Sequence, residues 1–227
     1  MSGREDSVTE VFRHELRDEC SAVDVDDMNA PASGTDRYWN ADEFFGIGDR
    51  FFIVEFKSHK FGLKSEDRKP SACALCGRLA SNSKARALHD KGHFAAWGVK
   101  PRDGDLTCFA GIYRLLVCRL EVLASCEHVE GTFDDENVVD SAINLIRSTL
   151  NAENGLDEQQ FTAYIRWLIE GDKGGGSAGF PIGIFAFSNA RRVRGREFKN
   201  YEAFSEWAKN DPNVQNARSI KSNFPIR

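Results

Sequence analysis

The stretch from Asn40 to Lys57 constrains this chain more than any other. Two apolar runs, Phe44 to Ile47 and Phe51 to Phe56, flank a Gly46-x-Gly48-Asp49 turn, the pattern of a β-hairpin. Asp42 opens the first strand, and Glu55 and Lys57 close the second. Residues two apart in a strand share a face, so Glu55 and Lys57 point together while Val54 and Phe56 point into a core. A carboxylate and an ammonium at the end of an apolar strand are costly to bury unless they pair or serve a metal. Two carboxylates and a backbone carbonyl can hold a hard divalent cation, and a neighbouring lysine can orient or activate a water.

Asp42, a hairpin and then Glu55-x-Lys57 resembles the PD-(D/E)XK nuclease superfamily, over roughly residues 8–120. Ala41 stands where the motif's proline would be. The resemblance implies an α/β, restriction-endonuclease-like fold with a mixed central β-sheet flanked by helices. The core is expected to span 1–125, with 126–227 a C-terminal addition of helices and strand packed on it as one compact unit. It further implies a metal-dependent nuclease acting on nucleic acid, DNA first. Asp42, Glu55 and the Phe56 carbonyl would hold Mg2+ or Mn2+, with Lys57 beside the attacking water. Members of the superfamily often add a glutamate from the first helix, and Glu15 is the candidate. The competing reading of the same residues is a hairpin with a structural Glu–Lys pair, in a non-catalytic nucleic-acid-binding or protein-interaction module. A homodimer or a protein partner is compatible with either.

The net charge of −5 is unevenly spread. Residues 1–43 carry twelve acids and four bases, a net of −8, leaving +3 for the remainder. Between Lys57 and Lys91 bases outnumber acids, and Lys60, Lys64, Lys69, Arg78, Lys84 and Arg86 are the expected phosphate contacts. A second basic cluster runs from Arg191 to Arg196.

Periodicity predicts a first helix over 8–20 with Val8, Val11, Phe12 and Leu16 on one face and Ser7 as its cap. Glu15 falls in the middle of that apolar face. Residues 21–40 read as a loop, 58–69 as a polar connection and 71–91 as a helix. Strands are expected at 93–99 and, interrupted by Gly111, at 106–123. Helices near 136–150 and 157–170, a glycine-rich loop at 174–179, a strand at 181–187 and a helix near 201–209 complete the chain.

Cys73-x2-Cys76-x12-His89-x3-His93 has the ligand spacing of a C2H2 zinc finger. The aromatic and leucine that such a finger packs inside its loop are replaced by Ala80 and Arg86, and the intervening sequence favours helix. Two half-buried cysteines and two histidines at the far end of a helix are therefore expected in place of structural Zn2+. Six cysteines in apolar or helical surroundings suggest reduced thiols. No apolar run is long enough for a membrane span and the N-terminus lacks a signal-peptide core, so a cytoplasmic protein is expected.

Overall fold

The structure, a computed structural model, describes residues 5–32, 40–100, 104–129 and 139–170, the backbone of 182–187 and 193–198, and Ala203 and Glu206. Its frame is one eight-stranded sheet. The strands are β1 (Asp27–Pro31), β2 (Glu43–Ile47), β3 (Arg50–Lys57), β4 (His93–Val99), β5 (Thr107–Ile112), β6 (Val139–Ser141), β7 (Ile182–Phe187) and β8 (Val193–Phe198). They lie in the order β6-β5-β4-β3-β2-β1-β7-β8. Only β3 and β4 run parallel; the other neighbours are antiparallel, so the sheet is mixed.

The expected hairpin forms the middle of this sheet. Ile47 pairs with Arg50 across a two-residue turn, and Gly48 takes the left-handed φ of 57° that such a turn favours. Along β3 the side chains alternate as the pleat requires. Phe52, Val54 and Phe56 pack on one face with α1 (Glu5–Ala22) and α5 (Ala142–Leu150). Phe12 of α1 lies 4.9 Å from the Phe45 ring and 5.4 Å from that of Phe56. Phe51 and Ile53 pack on the other face, among residues of α2 (Pro70–Ala80), α4 (Tyr113–Val117) and α6 (Glu158–Glu170). A helix, α3 (Ser83–Gly92), precedes β4 on this side.

A parallel neighbour requires a crossover. Here residues 58–92 supply it as a 3-10 helix (Lys60–Arg68), α2 and α3. The expected helix over 71–91 is in fact two, because Asn82 caps α3 by accepting the Ala85 N–H at 3.0 Å. The polar 58–69 connection is the 3-10 helix, and the expected loop at 21–40 contains β1. The first helix begins at Glu5, which places Ser7 inside it and not at its cap. The expected strand over 106–123 ends at Ile112, where α4 begins, and the helix near 136–150 starts only at Ala142, after β6.

Residues after 126 build into the same sheet as the core. β6 extends the sheet beyond β5, while β7 pairs with β1 and β8 with β7, so residues after 126 finish both edges. Arg194 and Arg196 of the second basic cluster lie on β8. The glycine-rich loop at 174–179 lies outside the described residues, as does most of the helix expected near 201–209. No helix among the described residues is long and apolar enough to cross a membrane.

Candidate active site: a buried carboxylate–lysine cluster

The antiparallel ladder between β2 and β3 ends at Glu43 opposite Val54, leaving the Phe56 N–H beyond the last β2 residue. Asp42 fills that gap. Its own N–H donates to the Val54 carbonyl at 2.9 Å, and its Oδ2 accepts the Phe56 N–H at 2.6 Å. The N–H and C=O of one strand residue face the same neighbour, so the Phe56 carbonyl shares this edge with Asp42.

Glu55 and Lys57 continue the Phe51–Ile53 face of β3. Glu55 is only 1% exposed and Lys57 is buried. Lys57 Nζ pairs with Glu55 Oε1 and lies 3.0 Å from Glu66 Oε1. Lys69 Nζ bridges the same two carboxylates, 2.7 Å from Glu55 Oε1 and 2.9 Å from Glu66 Oε1. Glu66 is fully buried, and its Oε2 accepts the Tyr113 hydroxyl at 2.8 Å. Two carboxylates thus share two ammonium groups, and Asp42 feels the charge of both lysines.

The charges do not balance evenly. Burial pushes the Glu55 carboxyl up to about 8, and Asp42 and Glu66 add to this against the pull of Lys57 and Lys69. Asp42 is raised as well, chiefly by burial, although the Phe56 N–H and the lysines oppose it. Burial would also raise Glu66, yet Lys57 and Lys69 bring it below its ordinary value. Burial disfavours the Lys57 ammonium, but Glu55 and Glu66 outweigh that and hold it protonated. Glu55 Oε2 is buried with no hydrogen-bond donor. Below about pH 8 Glu55 keeps a proton; once the proton leaves, Oε2 is an acceptor beside a second carboxylate, the kind of position a cation relieves.

Beside the cluster, five groups form a chain of four hydrogen bonds with one consistent set of donors. The backbone N–H of Arg114 donates to His89 Nε2 at 3.1 Å. His89 Nδ1 must therefore carry the proton given to the Tyr164 oxygen at 2.6 Å. The Tyr164 hydroxyl then donates to His93 Nδ1 at 2.8 Å, and His93 Nε2 donates to the Asn40 carbonyl at 2.9 Å. Burial pushes His93 down to about 3 and His89 well below its ordinary value, so both rings are neutral. The chain ends at Asn40, two residues before Asp42, and the His93 ring stacks on Tyr113 at 4.5 Å.

This arrangement corrects several expectations. The four residues of the zinc-finger spacing, Cys73, Cys76, His89 and His93, do not come together as one ligand set, because every ring nitrogen of the two histidines is engaged in the chain above. Cys73 and Cys76 turn instead to Cys126 and Cys118, in two disulfides that also overturn the reduced state expected for these four residues. Cys20 and Cys108 are free and buried.

Glu15 does not join the cluster. It sits on α1, on the opposite face of the sheet, where burial and Glu19 push it up to about 7. The acidic residue of α1 that feels Lys57, Asp42 and Lys69 is Glu5, at the helix's first turn. Helical periodicity singles out Glu15 because it lies among apolar neighbours. Periodicity carries no information on which end of the helix meets the end of β3.

Among the expected phosphate contacts, Lys69 belongs to the cluster itself. Arg78 is committed to α6: its guanidinium lies 4.0 Å over the Trp167 ring and donates to the Trp167 and Leu168 carbonyls. Lys60 sits 5.8 Å above the Trp97 ring, while Lys64 and Lys84 are exposed and Arg86 is half-buried. Glu66 was missed altogether. Its one signal is the spacing Leu63-x2-Glu66-x2-Lys69, which a 3-10 helix and its exit align on one face.

With its four paired cysteines in disulfides, the protein has no group of three or more His, Cys, Asp or Glu side chains among the described residues arranged to hold a metal. Mg2+ does not require such a group; it is commonly bound by one or two carboxylates and keeps several waters. Asp42, Glu55 with its unpartnered Oε2, and the Phe56 carbonyl fit that donor set. No family model, curated protein or solved structure matches this chain.

Proposed function

We propose that this protein is a metal-dependent nuclease of the restriction-endonuclease-like type, with Asp42, Glu55 and Lys57 at its centre. The observation that carries the reading is Glu55 Oε2, buried without a donor beside Asp42 in a cluster where carboxylates outnumber lysines. Asp42, Glu55 and the Phe56 carbonyl would hold Mg2+ or Mn2+. That cation, when bound, lowers the pKa of a coordinated water and offsets charge at the phosphorus.

The chain's own groups supply the remainder. Lys57, kept protonated by Glu55 and Glu66, acts as a donor: it orients the attacking water and neutralises a phosphate oxygen as charge develops. It does not serve as the base in the cluster as it stands. Glu66 and Tyr113 hold Lys57 and Lys69 in place. Lys64 and Lys84, both exposed, offer backbone contacts to the polymer. DNA is the first substrate to test.

The test is cleavage of labelled single- and double-stranded DNA and RNA with Mg2+, Mn2+ or EDTA, beside Asp42→Asn and Lys57→Ala. Cutting that requires the cation and is lost in both variants supports the reading and names the polymer. Binding without cutting under any cation would replace it with the non-catalytic binding module, in which the two lysines exist to neutralise the carboxylates. Turnover that persists in EDTA would also overturn it.

A further inference from the structure

Four cysteines from two distant stretches meet on one side of α2. Cys73 and Cys76 lie three residues apart, so their side chains are neighbours on the helix surface. Cys126 faces the first and Cys118 the second, with Cα separations of 5.4 and 5.6 Å. The segment that brings Cys118 and Cys126 there, 118–129, has no helix or strand of its own. Short turns and the burial of Val122, Leu123 and Cys126 shape it, and Ser125 donates to Asp67 Oδ1 through its N–H at 3.2 Å and its hydroxyl at 2.8 Å. It thereby braces the stretch 66–73, which carries Glu66 and Lys69.

We propose that in the reduced chain Cys73, Cys76, Cys118 and Cys126 form a tetrathiolate site for Zn2+ that fastens the 118–129 segment to α2. Two sulfurs side by side on one helical turn chelate from one direction, and two from an irregular segment close the other. A tetrahedron with Zn–S of about 2.3 Å needs sulfurs about 3.8 Å apart, within reach of side chains whose backbones already stand this close. Four thiolates leave no open position, so the site is structural and its effect on the carboxylate–lysine cluster runs through residues 66–73. The chemistry balances. Each disulfide takes two electrons and two protons from a dithiol reductant, and the four thiols release their protons to water as they ligate the metal. This inference does not depend on the nuclease reading.

The experiment is elemental analysis and native mass spectrometry of the tag-free chain, purified with a reductant from cells supplied with zinc. One zinc per chain is expected, lost in the double variant Cys73→Ser/Cys118→Ser and kept in Cys20→Ser and Cys108→Ser. A metal-free chain whose mass matches two disulfides would overturn the proposal. So would zinc retained by the double variant, or a coloured iron–sulfur chromophore in place of zinc. Should the double variant fail to fold, Co2+ exchanged into the wild-type chain decides the matter. Sulfur-to-cobalt charge-transfer bands with tetrahedral d–d absorption support the site, and their absence refutes it.

Discussion

The Tyr113 hydroxyl donates a 2.8 Å hydrogen bond to Glu66 Oε2, and both side chains are fully buried. This bond joins the helix that follows β5 to the carboxylate holding Lys57 and Lys69. Tyr113→Phe removes the donor and leaves a buried carboxylate oxygen without it. A loss of about 1–3 kcal/mol is expected, read as a lower urea midpoint with an unchanged slope. A variant as stable as the wild type would show that Glu66 is satisfied by the lysines alone.

Lys57→Ala should be more damaging than its single lost charge suggests. Glu55 and Glu66 then share Lys69 alone, and breaking a buried pair from one side costs about 3–5 kcal/mol. Lys57→Met, which keeps the length of the stem, should fold no better, because the missing quantity is charge. Thermal melts of the two variants check this.

Glu55 sets a pH dependence whose sign can be worked out. Its carboxyl is held up to about 8 in the fold against an ordinary 4.5, so the folded chain keeps a proton that the unfolded chain gives up. That contribution to stability is complete below about pH 4.5 and is lost as pH rises through 8. Glu55→Gln should flatten the fall between those limits. Added Mg2+ should raise the melting temperature of the wild-type chain most at the alkaline end and leave Glu55→Gln unmoved. An equal Mg2+ response in both chains would remove Glu55 from the metal site.

His93 runs the opposite way. Its pKa falls to about 3 in the fold from 6.5, so the unfolded chain binds the extra proton. Stability should decline as pH falls from 6.5 towards 3, with a limiting slope of about 1.4 kcal/mol per pH unit for one group. Urea midpoints at successive pH values should show a shallower acid slope in His93→Gln. His89, also buried neutral, will retain part of the effect.

The basic residues should divide by what they touch. Arg78→Ala loses its stacking on Trp167 and its bonds to the end of α6, so stability should fall, and nucleic-acid binding, if the proposed function holds, should be unchanged. Lys64→Ala and Lys84→Ala should leave stability within about 0.5 kcal/mol. If these lysines meet phosphates, each change lowers the salt dependence of binding by about one unit of slope. Titrations at several salt concentrations separate the two classes.

Local pattern alone determined the centre of this molecule. Alternating apolar residues and a turn glycine specify the β2–β3 hairpin, and the two-residue period puts Glu55 and Lys57 on one face whatever surrounds them. The apolar stripe of α1 was legible for the same reason. What surrounds the hairpin was settled by contacts between residues far apart in sequence. Glu66 reaches the site because a 3-10 helix turns it inward, and Lys69 because it is the residue that follows that helix, just before Pro70. Glu5 and not Glu15 lies near the cluster because helix direction relative to the sheet decides which end meets it. The histidines left the cysteines because Tyr164, more than seventy residues away, offered a hydroxyl that completes both rings. Periodicity acts over a few residues and so can be read from the chain. The pairing of buried polar groups depends on which partners the fold brings within hydrogen-bonding distance, and only the tertiary structure decides that.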